Sequence, residues 1–300
     1  MKVFITGGSG FVGARLTEVL LDKGFEITAV GQRARQTRIR HAKYRYISAD
    51  TTRPGSWQQE IPYHDAVINL TGKTIFNRWT DSYKQQIYGT RVQTTQRIVE
   101  AIADGRPSVL LNTSGAGYYG SRGDDLLSEA EPAGNDFLAR VSVDWEKEAF
   151  KARDRGARVA VLRFGVVLDK SGGAMAKMLP AFRFGLGGPL GDGRQWFPWI
   201  HMVDLIGAIL FILENADIDG PVNFAAPNPV RNRDFARALG RALNRPAFMP
   251  APAFMLRCIM GELGETFLAS QRVVPEKLMA HGFRFNYPNI DAAMQEVAGG

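Results

Sequence analysis

A single cysteine, Cys258, stands in 300 residues, so no intramolecular disulfide can form. That scarcity fits a reducing cytoplasm. Cys258 lies among Phe254, Met255, Leu256 and Ile259, a setting that reads as packing rather than nucleophilic chemistry. Long hydrophobic runs are also missing. The first apolar run is broken by glycine after residue 6, which argues against a signal peptide. The longest later one, Leu205 to Leu213, is far too short to span a bilayer. Neither metal-ligand spacing nor a Ser-His-Asp order stands out, and there is no internal repeat. The net charge of +7 is scattered rather than gathered into an aromatic-interleaved basic patch. Nucleic acid and membranes are therefore not expected partners, and the chain reads as a soluble cytoplasmic protein.

What is present begins at once. "VFITGGSGFVGARL" runs from a strand, Val3 to Thr6, through Gly7, Gly10 and Gly13 into a helix with an apolar face of Leu16, Val19 and Leu20. Glycines allow a tight turn and close approach of a pyrophosphate. The helix start supplies unpaired N–H groups and a positive dipole end. The turn, with Ser9, Phe11 and Val12 between its glycines, is thus a dinucleotide site.

Strand-like runs then alternate with helical ones: "EITAV", "KYRYIS", "HDAVINLTG", a helix over about Ser82–Ala103, "SVLLNTSG", a helix over Asn135–Arg153, and "ARVAVLRFGVVL". Continuously apolar strands separated by helices predict an α/β fold with a doubly wound parallel sheet covered on both faces. From residue 171 the chain turns rich in Gly, Pro and aromatics and reads as loops over a pocket. A helix from Asp204, the strand "GPVNFAAP" and a helix capped by Asn232 follow. The expected organisation is a dinucleotide-binding domain over 1–170, with a return segment at about 200–226. A smaller, interleaved, mostly helical substrate domain takes 171–199 and 227–300.

No Asp or Glu occurs from residue 27 through 49, where an NAD enzyme usually places an acid on the ribose, whereas Arg33, Arg35, Arg38 and Arg40 do. Guanidinium groups bind a 2′-phosphate bidentately, so NADP is the expected cofactor. Asp50, after the third strand, is placed to accept from the adenine amino group, or is a turn residue. Gly72 ends "NLTG", where backbone must approach the cofactor closely.

In order, Thr6-Gly7-x-x-Gly10-x-x-Gly13, "NLTG", "TSGAGYYG" and "LRFGVVL" resemble the extended short-chain dehydrogenase/reductase type, the NAD(P)-dependent epimerase/dehydratase superfamily. "NRW", "GTR", "WE", "GGAMAKMLPAFRFGLGGPLGDGRQWFPWIH" and "PVRNRDFA" resemble its atypical "epimerase family protein" subgroup. The likeness spans essentially the whole chain, including the C-terminal helical domain. It is specific for fold and much less so for activity. It implies a Rossmann domain with NADP at the glycine turn, and cofactor contacts at Gln32 and Arg33, at Leu70 and Thr71, and around Arg91. Where the subgroup usually has Ser/Thr-Arg, this chain has Gly31-Gln32, and Arg33 stands one residue on.

The resemblance also exposes a loss. Superfamily members use a Tyr-x-x-x-Lys pair on the helix after the fifth strand, the tyrosine moving the proton and the lysine lowering its pKa. With Glu146 as anchor, those positions fall at Leu138 and Ser142, and no tyrosine occurs between Tyr119 and Tyr287. The remaining catalytic candidates are Ser114 or Thr113, to polarise a carbonyl, and Tyr118 as replacement acid. Tyr119, Lys177, Trp199 and His201 are candidate pocket residues. So is Arg163, placed like the arginine of an extended-family turn. The leading reading is an NADP(H)-dependent oxidoreductase acting on a small carbonyl or hydroxyl substrate. A nucleotide-sugar epimerase or dehydratase and a non-catalytic NADP(H)-binding sensor are the alternatives. A homodimer through the two long helices is the expected assembly.

Overall fold

The protein is described here from a computed structural model covering residues 1–36, 38–103 and 106–299. Seven parallel strands form the sheet: β1 (Lys2–Thr6), β2 (Glu26–Gly31), β3 (Tyr44–Ser48), β4 (Ala66–Asn69), β5 (Val109–Gly115), β7 (Arg158–Phe164) and β11 (Gly220–Phe224). The two-residue strand β6 (Leu126–Leu127) lies between β5 and β7 in sequence and outside this sheet. The order is β11-β7-β5-β4-β1-β2-β3, so the chain reverses direction of travel between β1 and β4. Ligands bind at such a switch, outside the carboxyl ends of the strands.

Alternate residues of each strand go to opposite faces. Val3, Ile5, Ala66, Ile68, Ala160 and Leu162 bury on one face, against α1 (Phe11–Asp22) and α5 (Met202–Glu214). Phe4, Val67, Leu110, Val159 and Val161 bury on the other, with α2 (Asp81–Ala101) and α3 (Phe137–Phe150). Each Val, Leu, Ile or Phe among them stabilises by about 1.5–3 kcal/mol on burial. The double covering is why these strands carry no polar alternation.

A separate apolar core joins α4 (Gly173–Arg183), α6 (Asn232–Ala242) and α10 (Ile290–Ala298). The helix α4 replaces the loop expected there. Met175, Leu179 and Phe182 recur at helical spacing and are buried, despite Pro180 within the helix. Its Gly172-Gly173 start lies flat on the Phe11 ring, where an added Cβ would come within 2.4 Å of a ring carbon. The expected sixth strand also divides. At Gly165 the chain leaves β11 for a second partner, so that β8 (Val166–Leu168) pairs with β10 (Trp199–His201). An added Cβ at Gly165 would sit 3.0 Å from the Pro198 carbonyl. Asn232 does not cap α6. Its Oδ1 accepts from the Leu190 amide at 2.8 Å, pinning a loop instead.

The C-terminal segment returns to the main body. β9 (Trp196–Phe197) pairs with β12 (Val230–Arg231), and β13 (Arg272–Val273) with β6. Between α6 and β13 run α7 (Ala253–Met260) and α8 (Glu262–Leu268), and α9 (Glu276–Ala280) follows. Among the described residues no helix is long and apolar enough to cross a membrane.

Buried His64 makes stability pH-dependent. The Glu60 carbonyl can only accept, so Nδ1 carries the hydrogen at 2.8 Å and Nε2 accepts from the Thr28 hydroxyl at 2.9 Å. Burial holds its pKa below the usual 6.5, and the nearby Glu60 only partly opposes that. The unfolded chain takes up a proton near pH 6.5 while the folded one resists. Stability is therefore full above that pH and declines below it. The urea midpoint falls between pH 7 and pH 5, and His64→Gln flattens the fall. Identical pH dependence in the two proteins excludes this origin.

Candidate functional site

At the switch point β1 delivers Thr6 and β4 delivers Asn69 side by side. The turn after β1 needs its glycines. Gly7 has φ +71° and an added Cβ would meet the Leu70 carbonyl at 2.8 Å. One at Gly13 would lie 2.3 Å from the Gly7 oxygen. Asn69 is the hub of a buried network beneath the turn. It accepts from Thr6 Oγ1 at 2.6 Å and donates to Asn112 Oδ1 at 2.7 Å and Thr95 Oγ1 at 2.9 Å. The Thr71 amide closes on its Oδ1 at 3.2 Å, so Leu70 and Thr71 are held rigidly.

Beyond this edge opens a cleft of about 450 Å³. Phe11, Leu70, Thr71, Gly72, Arg91, Thr113 and Ser114 form its inner wall, and all were expected at the site. Its outer wall takes Lys73 and Phe76 from the loop after β4, Trp196 and Phe197 from β9, and Thr266, Phe267 and Gln271 from the C-terminal segment. Phe76 stacks on Phe267 with centroids 6.0 Å apart, and Lys84 pairs with Glu262, which fixes α8 over the cleft.

Three features of the inner wall are unfinished. The hydroxyls of Thr71 and Thr113 are buried with no partner. Arg91 has no acidic partner among the described residues; it donates to the Ile87 carbonyl at 3.0 Å and lies 5.3 Å over the Trp145 ring. Burial pushes its guanidinium down to about 10, against a small opposing effect of Tyr83. Gly72 serves this arginine, since a Cβ there would approach the guanidinium to 3.2 Å. A desolvated cation beside a glycine cradle and two unsatisfied donors is a binding surface for an anion with polar substituents.

At the other end of the groove Gln32 donates to Asp50 at 3.2 Å, so the two exposed side chains are tied together. Arg33 is exposed and makes no ion pair among the described residues, and its carbonyl is anchored by the Tyr46 hydroxyl at 2.9 Å. Gly31 has a local cause. A Cβ there would fall 2.7 Å from Ser9 Oγ and 3.0 Å from the Tyr46 hydroxyl.

Leu138 and Ser142, at the positions the resemblance implies for the tyrosine and lysine, both line the cleft. Most other substrate-side expectations are corrected. Ser114 reaches the cleft, but its hydroxyl donates to Glu146 Oε1 at 2.7 Å. Its proton is committed, so it offers the cleft a lone pair and cannot polarise a carbonyl. Arg163 is only 3% exposed and grips Glu146 through two hydrogen bonds of 2.9 Å. Burial would lower its pKa, and the Glu146 bonds and charge outweigh that and hold it protonated. Tyr118 packs under this guanidinium, 3.5 Å from ring centroid to Cζ, and is not part of the cleft wall. Tyr119 is fully buried, bonded to Asn223 at 2.7 Å and to Arg163 at 2.9 Å. Burial drives its phenol up to about 12, with Arg163 opposing.

Trp199 lies in the second core and His201 caps α5, its Nε2 on Glu296 at 2.9 Å. Lys177 points to solvent from α4. Each was expected in the pocket because it stands in or beside the glycine- and aromatic-rich segment. Those glycines mostly accommodate close packing instead: Gly187 faces the Phe182 ring and Gly188 the Met249 carbonyl. Thr266, Phe267 and Gln271 escaped the sequence reading, because no local pattern marks a wall supplied from far along the chain. Lys73 and Phe76 had a signal, being contiguous with "NLTG".

Comparison with known proteins agrees with this geometry. The NAD dependent epimerase/dehydratase family matches residues 3–225, and a domain of unknown function, DUF1731, matches residues 251–297. The chain is 37% identical over 302 residues to the chloroplastic epimerase family protein SDR39U1 homolog of Arabidopsis thaliana, covering 99% of this chain and 86% of that protein. It is 36% identical to the epimerase family protein YfhF of Bacillus subtilis over 99% of this chain and 98% of that one. Among solved structures, human epimerase family protein SDR39U1 with NADPH superposes with a TM-score of 0.88 at 33% identity, covering 100% of each chain. The protein is therefore a member of the NAD dependent epimerase/dehydratase family, of the subgroup of epimerase family proteins that resemble SDR39U1 and carry the C-terminal DUF1731 domain.

Proposed function

We propose that this chain is an NADP(H)-dependent oxidoreductase acting on a small, apolar carbonyl or hydroxyl compound. The observation that carries this reading is the unfinished inner wall, with Arg91 unpaired and the Thr71 and Thr113 hydroxyls unsatisfied, continuous with an apolar cleft. When bound, the dinucleotide supplies or accepts a hydride. The chain's part is to bind, orient and exclude water. The glycine turn and the start of α1 take the pyrophosphate. Arg33 is the residue for the 2′-phosphate, unpaired and at the end of β2. Thr71 and Thr113 meet the nicotinamide half, and Phe76, Phe197 and Phe267 keep water from the reacting carbon.

Calorimetric titration with NADPH, NADP⁺, NADH and NAD⁺ tests this directly. Micromolar affinity for the phosphorylated pair, at least roughly tenfold above the other, is expected. No binding of any of the four overturns the reading. Arg91→Met gives effects of opposite sign. NADPH affinity falls about tenfold or more, while the unfolding midpoint holds or rises, because a desolvated unpaired cation has been removed. A fall in both identifies Arg91 as structural.

A further inference from the structure

The cleft wall contains no Asp, Glu, His, Cys or Tyr among the described residues. Carboxyl, imidazole, thiol and phenol acids are absent from the wall for physical reasons, and its two cations are Arg91 on the inner side and Lys73 at the mouth. Leu138 fills the tyrosine position. The Ser114 hydroxyl gives its proton to Glu146. Tyr119 is sealed in the core, and the nearest phenol on the other side, Tyr83, donates to the Thr74 carbonyl at 2.6 Å. Lys73 is exposed at the mouth, with its ammonium 5.8 Å over the Tyr83 ring. The Thr113 hydroxyl is available as a hydrogen-bond donor, but an aliphatic hydroxyl does not release its proton in this range.

That absence selects among hydride acceptors. An ordinary ketone becomes an alkoxide, whose conjugate acid is about as weak as water. Without an acid in the transition state it forfeits roughly 10²–10⁴ in rate. A quinone instead becomes a hydroquinone monoanion, a phenolate whose conjugate acid has a pKa of about 10. Such an anion forms and departs without a protein acid. The outer wall suits a flat, neutral ring, with Phe76, Phe197, Phe267 and Trp196 on it and no guanidinium apart from inner Arg91. Arg231 and Arg272 already lie on the faces of Trp196, 4.5 and 4.6 Å from its centroid, and are not part of the wall. For a nucleoside diphosphate the outer wall offers one cation, the exposed Lys73 at the mouth, against four aromatic rings.

Resting on the NADP(H) reading above, the geometry points to a substrate of the quinone class, an uncharged conjugated dicarbonyl. One hydride passes from NADPH to the quinone, oxidising the dinucleotide to NADP⁺ and leaving the hydroquinone monoanion. A proton from water then completes the hydroquinone. Both electrons and the hydride hydrogen come from NADPH, and only the last proton comes from solvent. Thr113, whose hydroxyl has no partner, acts as the positioning residue at the carbonyl edge.

The test compares 1,4-naphthoquinone with 2-acetylnaphthalene, a flat ketone of similar size, and with UDP-glucose, on the NADPH-saturated protein. Naphthoquinone is expected to oxidise NADPH at least ~100-fold faster than the ketone, above the uncatalysed rate, the factor an absent acid imposes. That rate is expected to stay flat from pH 6 to pH 9. Calorimetry on the NADP⁺ complex gives a second readout, independent of turnover. Naphthoquinone binds, UDP-glucose does not, and Phe267→Ala weakens the quinone roughly tenfold. Equal rates for ketone and quinone, a rate governed by one titrating group in that pH range, or tight UDP-glucose binding overturns the proposal. So does a quinone that neither binds nor reacts while NADPH binds normally. Failure of NADPH itself to bind is a separate result and strikes the underlying reading.

Discussion

Replacing Gly13 by alanine weakens NADPH binding by on the order of 100-fold, about 3 kcal/mol, the upper end of the strain a forced backbone stores. The added Cβ would lie 2.3 Å from the Gly7 oxygen and 2.8 Å from Gly8 Cα, both backbone atoms that no rotamer change can move. The turn must open, and the amides at the start of α1 lose their convergence on one anion. Calorimetry measures the affinity, and thermal unfolding with and without NADPH separates lost binding from lost fold. Gly24→Ala is the control. Its φ is +86° but nothing lies within 4 Å of the added Cβ, so it strains the backbone and leaves the turn untouched. Wild-type affinity in Gly13→Ala would remove the glycine turn from the binding surface.

The largest loss of stability is expected at Glu146. Its carboxylate takes two hydrogen bonds from Arg163 and one from Ser114, in a place where Glu146 is 4% and Arg163 3% exposed. Glu146→Ala strands a guanidinium away from water beneath Tyr118 and beside Tyr119. Breaking such a pair from one side costs about 3–5 kcal/mol. Urea unfolding reads this as a lower midpoint at unchanged slope. Removing both charges, in Glu146→Leu with Arg163→Met, restores much of the loss, because the desolvation cost disappears with the charges. A single substitution costing under about 1 kcal/mol would show that the pair does not hold the corner between β5, β7 and α3.

The inner half of the cleft was legible from residue order because each residue there has a local reason. Gly13 answers a backbone contact a few residues away, Gly7 takes the positive φ of a tight turn, and Leu70 and Thr71 follow a buried strand. Leu138 and Ser142 could be placed from Glu146 because helical spacing preserves the face they share. The same logic failed for Arg163, Tyr119, Trp199 and His201. A strand end borders both the cleft and the packed interior beside it, and composition alone does not say which side a polar group faces. Arg163 had its partner 17 residues earlier on α3, and Tyr119 had Asn223 more than a hundred residues later. In α4, Gly172, Gly173 and Pro180 hid a buried stripe, because residues that disfavour helices locally are tolerated where tertiary packing holds the segment.

Thr266, Phe267 and Gln271 give the cleft a history as well as a shape. A chain emerging from the ribosome makes the glycine turn first and reaches Ser114, the last residue of the inner wall, well before the far wall exists. The roughly 150 residues from there to Thr266 take on the order of ten seconds to synthesise. For that interval the groove lacks Phe267, the partner on which Phe76 stacks. The groove's inner end is therefore made early in synthesis and its outer end last, so a chain that stops before Thr266 carries the inner-wall residues without their far wall.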